Sequence, residues 1–270
     1  YPHPPFVIRL QMPAKEDIMA GHKISALDIP RNAAVVVLTG AGVSAESGIA
    51  TFRDSGGLWE QHNVEDVATH EGFVKNPELV WRFYSLRRKD ALRVHPNPAH
   101  YAIAALEEYL ADKGSFTLIT QNVDGLHSRA GNKNVLEIHG SLFKTKCDNP
   151  RCPASETPFD DETTDYDALP KCEKCGGLLR PDIVWFGEQL DRVTEAKAMH
   201  AVGECEIFLT IGTSGVVWPV AGYSRLAYEL GARTITANLE PPANVQNYRE
   251  VYLGKAGEVV PMLLANVLND

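Results

Sequence analysis

The chain has 270 residues, 44% hydrophobic and 23% charged, an ordinary globular balance with length for one large domain or one domain carrying an insertion. Its net charge of −9, from 26 basic and 35 acidic residues, argues against general binding of nucleic acid or anionic membranes. No apolar run approaches the roughly 18 residues of a membrane span and the first 20 residues lack an apolar core of signal-peptide length, so a cytoplasmic protein is expected.

Residues 1–31 read as an irregular lead. A buried strand is expected over 33–39, and it runs into Gly40-Ala41-Gly42-Val43-Ser44-Ala45, which fits the G-x-G-x-x-G/A turn of dinucleotide-binding folds. A dehydrogenase would continue with a helix, a second strand and an acidic residue about 20 positions on. Here the chain gives Thr51-Phe52-Arg53-Asp54-Ser55-Gly56-Gly57, a polar, glycine-rich loop. Residues 60–112 carry helical patterns without a strand. Further β-branched runs lie at 116–120, 135–138, 207–211 and 233–237, with helix-length segments at 194–204 and 218–231. Strands alternating with helices predict a parallel, doubly wound α/β sheet; the two excursions, 60–112 and 141–181, would pack together as a second lobe, leaving a ligand cleft between lobes.

The second excursion holds four of the five cysteines. Cys147 and Cys152 form one pair, Cys172 and Cys175 a second, about 20 residues on. Two such pairs match a closed structural zinc site, with two disulfides or free thiols as the alternative. Cys205 precedes a strand and reads as a small buried hydrophobe.

In an open parallel sheet, ligands bind beyond the carboxyl ends of the strands. Those ends read Gln121-Asn122-Val123-Asp124-Gly125-Leu126-His127, Gly212-Thr213-Ser214-Gly215 and Asn238-Leu239-Glu240. A ribose held by Asn238 and Glu240 would remove the need for an acidic residue after the first helix. The bland reading makes these helix caps and turn residues. His139 also follows a strand, where an imidazole titrating near neutral pH suits a general base, although most lone histidines are structural. Within a helical segment Tyr84 and Arg87, three apart, share a face; a packed tyrosine and a solvated arginine are the plain alternative.

Together GAGVSAESGIATFR, TQNVDGLH, EIHG, the four cysteines, VWFGE and GTS resemble the sirtuins, NAD-dependent protein lysine deacylases, over about 235 residues from Val35. The resemblance implies a Rossmann-type large domain (32–58 with 113–140 and 183–270). It implies a small lobe made of a helical module (59–112) and a zinc ribbon (141–182). NAD would be the co-substrate and one structural Zn2+ would sit on Cys147, Cys152, Cys172 and Cys175. By the same resemblance Ala41 and Gly42 approach the pyrophosphate, helped by Ser214, and Phe52 and Arg53 lie over the nicotinamide ribose. Gln121 and Asn122 touch that ribose, and Asp124 holds the carboxamide. Asn238, Glu240 and the backbone near Ala256 form the adenosine side. Gly40, Ala45, Trp59, Val123, Gly212, Thr213 and Leu239 complete the cofactor contacts.

His139 matches the family's base, with Asn122 beside it. The implied sequence is attack of the acyl oxygen on C1′ of the ribose as nicotinamide leaves, proton acceptance by His139, and hydrolysis to free lysine and O-acyl-ADP-ribose. Val184-Trp185-Phe186-Gly187-Glu188 would pair with the substrate backbone as a strand. The Tyr84-x-x-Arg87 pair resembles the mark of the branch, with bacterial members, that accepts acidic acyl groups. A guanidinium fork and a phenol suit a carboxylate, so desuccinylation and demalonylation are expected beside deacetylation. Acyl-lysine proteins are the expected partners and a monomer the expected state. Transfer of ADP-ribose to protein, an NAD(P) dehydrogenase and a zinc-ribbon nucleic-acid module are the rival readings.

Overall fold

A computed structural model describes residues 24–49, 58–59 and 62–269. The strands are β1 (Ala34–Thr39), β2 (Leu58–Trp59), β3 (His62–Asn63), β4 (Ser115–Thr120), β5 (Val135–Glu137), β6 (Gly140–Cys147), β7 (Phe159–Asp160), β8 (Leu179–Ile183), β9 (Ile207–Ile211), β10 (Arg233–Asn238) and β11 (Glu250–Leu253). The helices are α1 (Val64–Val67), α2 (His70–Lys75), α3 (Pro77–Arg93), α4 (Pro98–Leu110), α5 (Leu126–Ala130), α6 (Arg192–Glu204), α7 (Tyr223–Glu229), α8 (Ala256–Leu263) and α9 (Ala265–Leu268).

β1 is apolar almost throughout because both of its faces are covered. Val35 and Val37 enter one core with α4, α8 and α9, while Val36 and Leu38 enter another with α6 and α7. Such two-sided burial is what makes parallel strands read as continuous hydrophobic runs. The six-stranded parallel sheet has the order β11-β10-β9-β1-β4-β5. The chain therefore winds from β1 outward through β4 and β5, then returns to β9 on the other side and winds outward again. The reversal lies between β1 and β9, and a crevice opens beyond the carboxyl ends of strands at such a point.

The expected five strands and both helical segments are present; β11 is a strand the sequence reading did not list. Its four residues are all half-buried at the sheet's edge, so it carries no apolar run.

The second lobe has its own core. Val67, Phe73, Val80, Trp81, Phe83 and Tyr84 pack against β6, β8, Trp185 and three of the cysteines. β6 is the centre of a small antiparallel sheet between β7 and β8. The helical part of this lobe ends sooner than the expected 112. α4 instead places Ala99, Ala102, Ile103, Leu106 and Leu110 in the core of the large sheet, because its apolar stripe faces β4 and α8.

Candidate functional site

Two glycine turns meet at the reversal point. Gly40 N donates to Ile211 O (3.0 Å) and Gly42 N to Gly212 O (2.8 Å), so the turns after β1 and β9 lie backbone on backbone. A Cβ on Gly42 would sit 2.7 Å from Gly212 Cα, and one on Gly212, whose φ is +64°, 2.3 Å from Val43 N. Only glycines fit both turns. After Gly40 the chain makes two 3-10 turns, Ala41–Val43 and Ala45–Ser47, so no regular helix follows β1 directly.

The ends of β4 and β5 bring the polar groups together behind these turns. Gln121 Nε2 donates to Thr213 Oγ1 (3.0 Å), linking the β4 end to the β9 turn. Asn122 Nδ2 donates to Ser44 Oγ (3.0 Å), and Ser44 Oγ donates in turn to Asp124 Oδ2 (2.7 Å). Asp124 Oδ1 accepts from Leu126 N (2.9 Å). Burial pushes the Asp124 carboxyl above its ordinary pKa, against the pull of these two donors. His100 joins from the first turn of α4. Its Nδ1 lies 3.3 Å from Asn97 N, which can only donate, so the neutral ring carries its proton on Nε2 and points it at Ser44 Oγ (3.4 Å).

His127 packs against His100 with ring centroids 4.7 Å apart and planes tilted by 52°, and contacts Thr39 Oγ1 at 2.9 Å. Desolvation lowers both rings, His100 to about 4 and His127 to about 3, keeping them neutral at pH 7. Ser44, His100, His127 and Thr39 were given no role by sequence reasoning. Ser44 and His127 lie inside the quoted motifs; His100 carried no signal beyond a helix start, because its link to Ser44 spans 56 residues.

His139 follows β5. Its Nδ1 lies 3.2 Å from Gln121 O, and a carbonyl only accepts, so Nδ1 holds the proton and Nε2 is left as the basic nitrogen. Burial lowers its pKa, opposed by that hydrogen bond. The turn also connects to the second lobe, since Val184 N donates to His139 O (3.0 Å).

Val184, Trp185, Phe186 and Gly187 leave β8 beside this turn. Trp185 points inward: its indole donates to the Tyr84 hydroxyl (2.9 Å), its ring lies 3.5 Å from the Arg180 guanidinium carbon, and its N–H donates to Glu188 Oε2 (2.8 Å). Phe186 is half exposed, its N–H spent on Ala68 O (2.9 Å). The loop after the β9 turn, which sequence reasoning did not single out, exposes Val216 and Trp218, the latter at 73%.

α3 brings Tyr84 and Arg87 to one face, both buried. Burial raises the Tyr84 hydroxyl to about 12, with the Arg87 charge acting against it; that charge also bears on Asp124. The Arg87 guanidinium lies 5.7 Å from the centre of the Phe83 ring. Its neighbour Arg88, 1% exposed, serves a different end. It donates to Leu142 O (2.7 Å), Thr163 O (2.6 Å) and Thr145 Oγ1 (3.3 Å), and lies 3.2 Å from Asp161 Oδ2, pinning α3 to the ribbon. Of two adjacent arginines, Arg88 is held by the ribbon, while Arg87 lies over the Phe83 ring and its charge bears on Tyr84.

The third strand end is less concentrated. Asn238 is buried, its amide on Thr236 Oγ1 (2.9 Å) and its carbonyl accepting from Gly254 N (2.9 Å). Leu239 and Glu240 are exposed, Ala256 starts α8, and Ser214 O accepts from Ala243 N (2.9 Å). Val123 O accepts from Leu142 N (2.9 Å) and Ala45 is exposed. Phe52 and Arg53 lie outside the described residues, as does the side chain of Trp59.

The sulfur atoms of Cys147, Cys152, Cys172 and Cys175 lie within 4.8 Å of one another. The closest approaches are between knuckles, Cys147 to Cys175 at 3.5 Å and Cys152 to Cys172 at 3.9 Å. A disulfide needs about 2.05 Å, whereas a tetrahedron of Zn–S bonds near 2.3 Å spaces its sulfurs about 3.8 Å apart. The four thiols fit zinc and leave no open coordination position.

Comparison with known proteins places the chain. The model described as Sir2 family matches residues 40–219. An NAD-dependent protein deacylase of Pasteurella multocida is 47% identical over 238 residues, 87% of this chain and 97% of that protein. The mitochondrial NAD-dependent protein deacylase sirtuin-5 of Canis lupus familiaris is 42% identical over 250 residues, 86% of this chain and 81% of that protein. Among solved structures, a Sir2 homologue in complex with NAD superposes with a TM-score of 0.80 at 38% identity, covering 92% of this chain and 97% of that one.

Proposed function

The chain belongs to the Sir2 family, and from that premise we propose that it is an NAD-dependent protein lysine deacylase whose acyl pocket is built for acidic groups, succinyl and malonyl, with acetyl also accepted. The single observation that carries the acyl preference is the burial of Arg87 and Tyr84 on one face of α3, beside a Trp185 that fixes the tyrosine. A planar fork of guanidinium donors with a phenol on the same helix face suits the carboxylate at the end of a succinyl or malonyl chain.

The rest of the site suits consumption of NAD rather than hydride transfer. When bound, NAD supplies an electrophilic ribose carbon for the acyl oxygen. His139 offers an unprotonated Nε2 at the ligand edge, suited to accept a proton from a sugar hydroxyl. Asn122, Ser44 and Asp124 hold one another in place at the end of β4, so these polar groups are fixed before any ligand arrives. The described part of the first turn runs into 3-10 turns, where a dehydrogenase would place a helix. Phe186 and the Gly215–Trp218 loop offer apolar surface for a polypeptide, in keeping with a solved Sir2 structure bound to an acetylated peptide, 29% identical with a TM-score of 0.73.

The test is mass spectrometry of one peptide carrying succinyl-lysine or acetyl-lysine, incubated with and without NAD. NAD-dependent loss of succinyl, faster than acetyl and with O-succinyl-ADP-ribose formed, is expected. Loss of acetyl alone would return Arg87 to a packing role. Radiolabel from NAD retained on protein would instead favour ADP-ribosyl transfer.

A further inference from the structure

We propose that Glu46 is a positioning residue of the nucleotide-binding half of the site, a carboxylate that caps α8 from the opposite wall of the crevice. The inference rests on the cofactor reading above and adds a residue to which that reading gives no role.

α8 begins at Ala256 after Lys255, whose extended backbone ends the preceding loop without any side-chain cap of its own. The first N–H groups of a helix have no partner within it and carry its positive end. Glu46 supplies that partner from 211 residues away: its Oε2 accepts from Gly257 N at 2.6 Å. A Cβ on Gly257 would stand 3.1 Å from that oxygen, so glycine at this position leaves room for the carboxylate.

The two segments so joined both border the crevice. Glu46 belongs to the Ala45–Ser47 turn, which continues directly from Gly42 and Ser44. Behind it Val43 shares a core with Ala256, Val259 and Val260 of α8. The start of α8 is further tied to the end of β10, since Gly254 N donates to Asn238 O (2.9 Å). Apolar packing sets the distance between turn and helix but leaves their sliding weakly determined. A charge-assisted hydrogen bond at the rim has direction, and it fixes where Ala256 stands relative to Ala41 and Gly42. Glu46 therefore acts on a nucleotide through the backbone it holds, without touching the acyl-lysine side.

Isothermal titration of the full chain with ADP-ribose, with no acyl peptide present, tests this. Glu46→Ala should raise the ADP-ribose Kd about fivefold, the scale of a lost helix cap. Glu46→Gln, which keeps an acceptor, should recover most of that loss. Glu258→Ala, which removes an exposed carboxylate from the same helix, should change nothing. The KM for acyl peptide should stay at the wild-type value in all three. Wild-type binding by Glu46→Ala, or an equal rise in the peptide KM, would overturn the proposal. Failure of the unaltered chain to bind ADP-ribose would instead remove the cofactor reading itself.

Discussion

The neighbours Arg87 and Arg88 show how little identity alone says about a side chain. Both are buried on α3, yet Arg88 is held by Leu142 O, Thr163 O, Thr145 and Asp161, while Arg87 stands beside Tyr84 and Phe83. Arg87→Met should therefore lower kcat/KM for a succinyl peptide by roughly 10- to 100-fold, the value of one or two hydrogen bonds to a charged group, while acetyl turnover changes little. Equal loss on both substrates would count against the acyl-carboxylate role. His139 gives a second prediction, on pH. Burial disfavours its imidazolium, so its pKa lies below the ordinary 6.5 and the base is already unprotonated at neutral pH. Its acid limb should then appear below pH 6.5. A limb at or above 6.5 in the kcat/KM profile would contradict this environment.

At the scale of elements, the two glycine turns form a joint between the ends of β1 and β9. The G-x-G-x-x-A spelling was legible in the sequence, and pyrophosphate approach was the reason expected for its glycines. The contact between Gly42 and Gly212 supplies a second reason that no spacing reveals, because the two glycines are far apart in the chain. Gly212→Ala would push a methyl to within 2.3 Å of Val43 N at a positive φ. It should cost roughly 4 kcal/mol of stability, enough to lower the thermal midpoint clearly even with no ligand present. A variant with wild-type melting but weakened ADP-ribose binding would restore pyrophosphate approach as the sole reason.

Across the whole molecule, the four-cysteine ribbon and α3 form one mechanical unit. Trp81 Nε1 donates to Leu179 O (2.9 Å), Arg88 reaches β6, and Trp185 bonds Tyr84, so α3 is docked along the ribbon. The intact protein should carry one zinc per chain by elemental analysis. Cys172→Ser should lose it and loosen the second lobe, seen as lost near-UV signal from Trp81 and Trp185, while ADP-ribose binding to the large sheet falls less than acyl turnover. Full metal content in that variant would refute the four-thiolate site. No helix among the described residues is long and apolar enough to cross a membrane.

What the sequence by itself determined is what local periodicity and short spacing can carry. That covers the doubly wound sheet, because strands buried on both faces must read as apolar runs. It also covers the glycine turn, the cysteine pairs and the polar groups at the ends of β4, β5 and β9, because each is written in adjacent residues. Only the tertiary structure decided that α4 belongs to the large core, that β11 closes the sheet, and that Ser44 joins Asn122, Asp124 and His100. The same holds for which arginine is spent on the ribbon and for the carboxylate of Glu46 on α8. Each of those depends on contacts between segments from tens to more than two hundred residues apart, and no local pattern records which distant backbone or side chain a polar group will meet.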